Sequence, residues 1–127
     1  ASDVYKRQII WHGKVEPEQV FDEIKNLHVL VLPSICLEIF GLNISEALAM
    51  GKSVLATRCG GAEMQIENGV NGWLVEPNDA KALKAKMEDI INDVSIIPSM
   101  EMSGRKSVIS IEEHCKTLVN LYKESKL

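Results

Sequence analysis

Three short apolar runs, "HVLVLPS" (28–34), "SVLAT" (53–57) and "WLVEP" (73–77), constrain this chain more than anything else in it. Their hydrophobicity is continuous rather than alternating, the pattern of strands covered on both faces. A further run, "RQIIWHG" (7–13), reads as a strand through Ile9, Ile10 and Trp11. Helical patterns separate these runs. "EPEQVFDEIKNL" (16–27) has Pro17 near its start and Val20, Phe21, Ile24 and Leu27 on one face. "NISEALAMG" (43–51) is a short helix stopped by Gly51, with Asn43 as N-cap and Glu46 at the third helical position. Asn78 is expected to cap the strongest helix, whose apolar stripe is Leu83, Met87, Ile90, Ile91 and Val94. Residues 95–109 are weakly patterned, a loop and one helical stretch around "GRKSV". A last helix begins at Ser110, where Glu113 completes a capping box, and Ile111, Cys115, Leu118 and Tyr122 line its inner face.

Strands alternating with helices in this way predict an α/β fold, a Rossmann-like parallel sheet with helices on both faces. Ligands of such sheets lie beyond the carboxyl ends of the strands. The loops after Gly13, Ser34, Thr57 and Pro77 therefore share one rim. At 127 residues, 46% hydrophobic and 25% charged, the chain suits one globular domain. Its net charge of -4 argues against a nucleic-acid binder, which would present a basic face. Cys36, Cys59 and Cys115 are odd in number and lack a C-x-x-C spacing, so neither a disulfide framework nor a zinc site is expected, and a reducing cytoplasm fits. No apolar run approaches the ~20 residues of a membrane span, and "ASDVYKRQ" is not a signal peptide.

The loop after the 28–34 run carries the candidate chemistry. Gly41 precedes a helix whose first amides lack internal partners and carry the positive end of the dipole, a setting suited to a phosphate. Gly60-Gly61, after the next strand, offers a second close-approach loop, although glycines after strands often only turn the chain. Glu46 reads first as a capping residue, but a carboxylate there also suits a ribose diol. Glu38 caps no evident helix and stands as either an exposed loop charge or a ligand group. Arg58 could reach a phosphate or simply face solvent. Cys59 has no base beside it to make it a nucleophile. His12, His28 and His114 are dispersed, and no cluster suggests a metal.

Glu38 and Glu46 lie eight positions apart, giving E-x7-E, within "VLVLPSICLEIFGLNISEALAMGKSVLATRCGGAEMQIENGVNGWLVEPND". A Pro-Ser strand end is followed by E-x-F-G-L, S-E-A-L-A-M-G, a strand, Gly-Gly and an N-G-x-N-G turn. This order, from about Arg7 to Tyr122, resembles the donor-binding C-terminal half of retaining GT-B glycosyltransferases, the large family-4 class. The resemblance implies a nucleotide-diphosphate sugar as donor, no metal or other cofactor, and residues 1–127 as part of such a domain. Glu38 would contact the transferred sugar near its reacting carbon, and Glu46 would hold the ribose. Phe40, Gly41 and Leu42 would offer backbone amides to the sugar and diphosphate. Gly13, Lys14 and Val15 would help form the base pocket, and Gly60-Gly61 would shape the rim.

Two departures accompany it. Family members often carry Pro-Glu two residues after the paired glycines, where this chain has Glu63-Met64, so that acidic group is not assigned to the site. The resemblance further implies that about two β-α units, with a Gly-Arg loop and a lysine that neutralise the diphosphate, precede this stretch, along with an acceptor-binding N-terminal domain. The fragment is then expected to be inactive alone, cytoplasmic, and in contact with a membrane surface only through the complete protein, with a role in polysaccharide or glycolipid assembly. A non-transferase relative of the same fold, a sugar-nucleotide epimerase or a regulatory sugar-nucleotide binder, is the alternative. An interaction domain without a ligand is the third reading.

Overall fold

In the computed structural model, which describes residues 9–125, the three apolar runs form β1 (Val29–Leu32), β2 (Ser53–Thr57) and β3 (Gly72–Val75). They pair in parallel in the order β1-β2-β3, with Val29 opposite Ser53 and Val54 opposite Gly72. Around them lie α1 (Val20–Lys25), α2 (Leu42–Ala49), α3 (Gly61–Gln65), α4 (Ala80–Asn92), α5 (Ile97–Ser107) and α6 (Ile111–Glu124). Each strand feeds both faces, which is why its sequence does not alternate. Leu30, Leu32, Val54, Ala56 and Leu74 pack with Ile24, Ile44, Ala47, Leu48, Ala62 and Ile66 of α1, α2 and the α3 region. Val29, Val31, Leu55, Trp73 and Val75 pack with Leu83, Ile90, Ile97 and Met100 of α4 and α5. The expected parallel sheet with helices on both faces is therefore present. Among the described residues, no helix is long and apolar enough to cross a membrane.

Helix α2 is the element on which the site depends, and its ends are set by glycine. At its C-terminus Gly51, at φ +69°, turns the chain left-handed. Its N–H donates to the Leu48 carbonyl (2.9 Å), and the Lys52 N–H donates to Ala47 (2.8 Å), which together make a Schellman stop. Leu48 is 1% exposed and touches Gly104 of α5, so it ties α2 to the rest of the domain. Leu48→Ala is expected to destabilise the fold by about 2–5 kcal/mol through lost burial and a residual cavity. Urea unfolding would measure this, and a midpoint unchanged from the parent would contradict the packing described.

Several expectations are corrected. Residues 9–13 form no strand, and Arg7 and Gln8 lie outside the described residues. The sheet of the described residues is β1-β2-β3 alone, and residues 9–13 pair with none of its strands. A strand is held by its ladder, and without one Ile9, Ile10 and Trp11 are 76–88% exposed. Asp79, not Asn78, caps α4, accepting from the Ala82 N–H at 2.9 Å, while Asn78 takes a left-handed turn at φ +61°. Within the stripe of α4 only Ile90 is fully buried, and Ile91 and Val94, at 71% and 61%, are exposed. Residues 95–109 are mostly helix, with Met100 in the core. The capping box at Ser110 and Glu113 is present, but the apolar face of α6 is not an inner face: Ile111, Cys115, Leu118 and Tyr122 are all exposed.

Candidate functional site

The segment 37–41, after β1, and the segment 59–61, after β2, are joined backbone to backbone. The Glu38 N–H donates to the Cys59 carbonyl (3.0 Å), and the Gly61 N–H donates to the Glu38 carbonyl (2.7 Å), a parallel bridge that prolongs the sheet toward the rim. The paired glycines are there for close approach as well as turning. Gly60 holds φ +75°, and a Cβ on it would stand 2.9 Å from the Glu38 carbonyl oxygen. At Gly61 a Cβ would stand 2.5 Å from the Phe40 carbonyl carbon.

Gly41, at φ +75°, is the residue from which α2 starts. Asn43 is therefore the second helical residue, not the cap, and makes no capping hydrogen bond. The left-handed glycine allows the helix to begin earlier than the Asn-x-x-Glu pattern suggests. Glu46 consequently sits inside the helix, too far along to reach a cap amide. Its half-buried carboxylate forms no hydrogen bond or ion pair with the described residues. The N–H groups of Gly41 and Leu42 likewise donate to no protein acceptor among the described residues, leaving unpaired donors at the positive end of α2. The Glu38 carboxyl carbon lies 3.6 Å from where a Cβ on Gly41 would be, and its Oε2 accepts a long 3.4 Å hydrogen bond from Ser34 Oγ. Glu38, Phe40, Gly41, Leu42, Gly60 and Gly61 are thus drawn to one place, and Glu46 stands one turn into the helix that leaves it.

The other candidates fall elsewhere. Gly13, Lys14 and Val15 belong to the irregular segment before α1, and nothing lies within 4 Å of a Cβ built on Gly13. His12 Nδ1 is 3.4 Å from Glu23 of α1. Arg58 is held by carboxylates, Glu76 at 3.1 Å and Glu63 at 3.7 Å, rather than standing free. Glu63 also accepts from the Gly60 N–H (3.3 Å), so the displaced acidic residue serves as the cap of α3. The Cys59 thiol is buried and donates to the Ser34 carbonyl (3.1 Å). Among the described residues no group of three His, Cys, Asp or Glu is placed to hold a metal ion. A cavity of about 200 Å³ lies at the carboxyl ends of the strands, bounded by Pro33, Thr57 and Asn78. A larger one, about 1080 Å³, lies between α2, α3 and the start of α6, with Phe40 and Leu42 on its border. Glu38 and Glu46 line neither.

Residues 4–106 match the family model described as Glycosyl transferases group 1. The chain belongs to that family. A trehalose phosphorylase from Grifola frondosa is 41% identical over 69 residues, 54% of this chain and 9% of the relative. The capsular polysaccharide biosynthesis glycosyltransferase CapM of Staphylococcus aureus is 39% identical over 83 residues, 65% of this chain and 22% of the relative. The crystal structure of a glycosyltransferase from Rickettsia africae ESF-5, 27% identical, superposes with a TM-score of 0.80 over 97% of this chain and 34% of that one. The chain thus spans about a tenth to a third of these proteins.

In this glycosyl transferases group 1 chain, two polar side chains that sequence reasoning passed over organise the site. Asn71 is 3% exposed; its Oδ1 accepts from the Glu67 N–H (2.8 Å), and its Nδ2 donates to the Gln65 carbonyl (3.0 Å) and Ser107 Oγ (3.1 Å). Gln65 in turn reaches the Phe40–Gly41 backbone. The available signal was an amide side chain, Gln65, set between Met64 and Ile66 where a short helix meets the core.

Proposed function

We propose that this chain binds the nucleotide-diphosphate part of an activated sugar at the start of α2 and, in the complete protein, serves retaining transfer of that sugar to an acceptor. The observation that carries the reading is the pair of unpartnered amides at Gly41 and Leu42, beside Glu38 and one turn from the uncommitted carboxylate of Glu46. Breaking the anomeric C–O bond builds positive charge on the sugar ring and negative charge on the departing diphosphate. Fixed donors aimed at the developing anion stabilise it without reorganising, and such electrostatic terms are commonly the largest in catalysis. Glu38 would hold sugar hydroxyls near the reacting carbon. Glu46 would accept from the ribose hydroxyls, and Phe40 with the Gly60-Gly61 loop would frame the diphosphate. Gly13, Lys14 and Val15 would complete the base side once the segment before α1 is seated on a sheet neighbour. No metal is part of the proposal. The acceptor, and further cations for the diphosphate, would come from the rest of the complete protein, and the chain alone would not turn over.

Titrating the chain with UDP, ADP and GDP, and with their 2′-deoxy forms, tests the donor reading. One of the three is expected to bind, and to lose about tenfold in affinity on removal of the 2′-hydroxyl, a typical worth for a buried hydrogen bond to a charged group. In Glu46→Ala that preference should vanish, with EDTA changing nothing. No binding by the unaltered chain would overturn the reading. An unchanged ribose preference in Glu46→Ala would remove Glu46 from it.

A further inference from the structure

We infer that Gln65 is a positioning residue of the donor site: its side-chain amide grips the carbonyls of Phe40 and Gly41 and so turns the Gly41 and Leu42 N–H groups toward the diphosphate. The inference rests on the donor reading above. Gln65 Nε2 donates to the Phe40 carbonyl and lies 3.3 Å from both the Gly41 and the Gly61 carbonyls. Its Oε1 accepts from Ser45 Oγ at 2.5 Å. Three carbonyl oxygens can be met only by the nitrogen end of the amide, and a hydroxyl donor fixes the oxygen end, so the orientation has one solution.

A trans peptide points its C=O and its N–H in opposite directions. Pinning the Phe40 carbonyl to α3 therefore aims the Gly41 N–H away from α3. Pinning the Gly41 carbonyl, which also accepts from the Ile44 N–H (3.0 Å), does the same for the Leu42 N–H. Neither N–H finds an acceptor among the described residues. The grip is itself braced, because Asn71 holds the Gln65 backbone carbonyl and reaches Ser107 of α5. A side chain from α3 thus sets the direction of the donors in the loop after β1.

The test uses the nucleoside diphosphate found to bind above, together with its parent nucleoside. Gln65→Leu keeps size and burial but removes the grip. It is expected to weaken the diphosphate about tenfold and the nucleoside less than twofold, since only the former meets the two amides. Ser45→Ala, which frees the Gln65 amide without touching the core, should give a loss of about threefold with the same selectivity, and covers the case in which Gln65→Leu does not fold. The 1H–15N signals of Gly41 and Leu42 should move on addition of diphosphate to the parent and move less in either variant. Equal loss of diphosphate and nucleoside in both variants, or no loss in either, overturns the role of Gln65 while leaving the donor reading in place. Failure of the parent to bind any diphosphate overturns both.

Discussion

Glu38→Gln in the complete protein is expected to lower kcat/KM for sugar transfer by about a hundredfold, roughly 2.7 kcal/mol of transition-state stabilisation. Its melting temperature should move by less than about 2 °C, because little of the fold depends on this carboxylate. The side chain is half-buried, and its one hydrogen bond among the described residues, from Ser34 Oγ, is a weak 3.4 Å contact. What Glu38 gives the fold comes from its backbone, through the bonds with Cys59 and Gly61, and these survive the substitution. A glutamine keeps the shape but loses the charge that would face a developing oxocarbenium ion. Transfer assays beside thermal unfolding would decide the matter. An enzyme of unchanged rate would remove Glu38 from the mechanism, and loss of rate with an equal loss of stability would make its role structural. A regulatory sugar-nucleotide binder would bind donor in both forms and transfer nothing in either.

Gly61→Val should disturb the fold at the site itself. The atoms a Cβ would meet there are backbone, the carbonyl carbon, carbonyl oxygen and Cα of Phe40 at 2.5, 2.6 and 2.7 Å, so no rotamer change relieves the clash. Either the two loops part, at the expense of the 2.7 Å bond from the Gly61 N–H to Glu38, or α3 shifts and takes Gln65 with it. A destabilisation of about 2–4 kcal/mol is expected, in the range of severe overpacking. For a domain of this size that corresponds to a fall of roughly 10 °C in Tm. Gly69→Ala is the control. Gly69 has φ +84° but open space around it, so it should show only the conformational penalty of a left-handed residue, about 1 kcal/mol. If Gly61→Val melts no lower than Gly69→Ala, the close approach of the two loops is wrong, and with it the frame of the site.

How much of this was legible beforehand divides by the range of the interaction. The capping box at Ser110 and Glu113 spans four residues and is present as read, with bonds of 3.2 and 3.1 Å. The stop of α2 at Gly51 is equally local. The start of α2 was misread because two caps competed: Asn43 had the better side chain, but Gly41 had the backbone freedom. The contacts on Phe40 and Gly41 that favour the glycine come from Gln65, more than 20 residues away. The misreading matters for function, since the cap that was expected to occupy Glu46 is absent and its carboxylate is uncommitted. Residues 9–13 were misread for a related reason. Ile9, Ile10 and Trp11 have the composition of a strand, but a strand exists only by pairing, and composition says nothing of whether a neighbour is present.

By itself, the sequence determined the parallel sheet, since runs that are apolar at every position can be satisfied only when both faces are covered. It also determined the family, through the order of E-x-F-G-L, S-E-A-L-A-M-G and Gly-Gly. Tertiary structure alone decided which donors are left over at the rim. Whether an amide is free depends on every acceptor within reach, and at Gly41 the carbonyls that set its direction are held by Gln65 of α3, brought close by a glycine that leaves no room for a side chain.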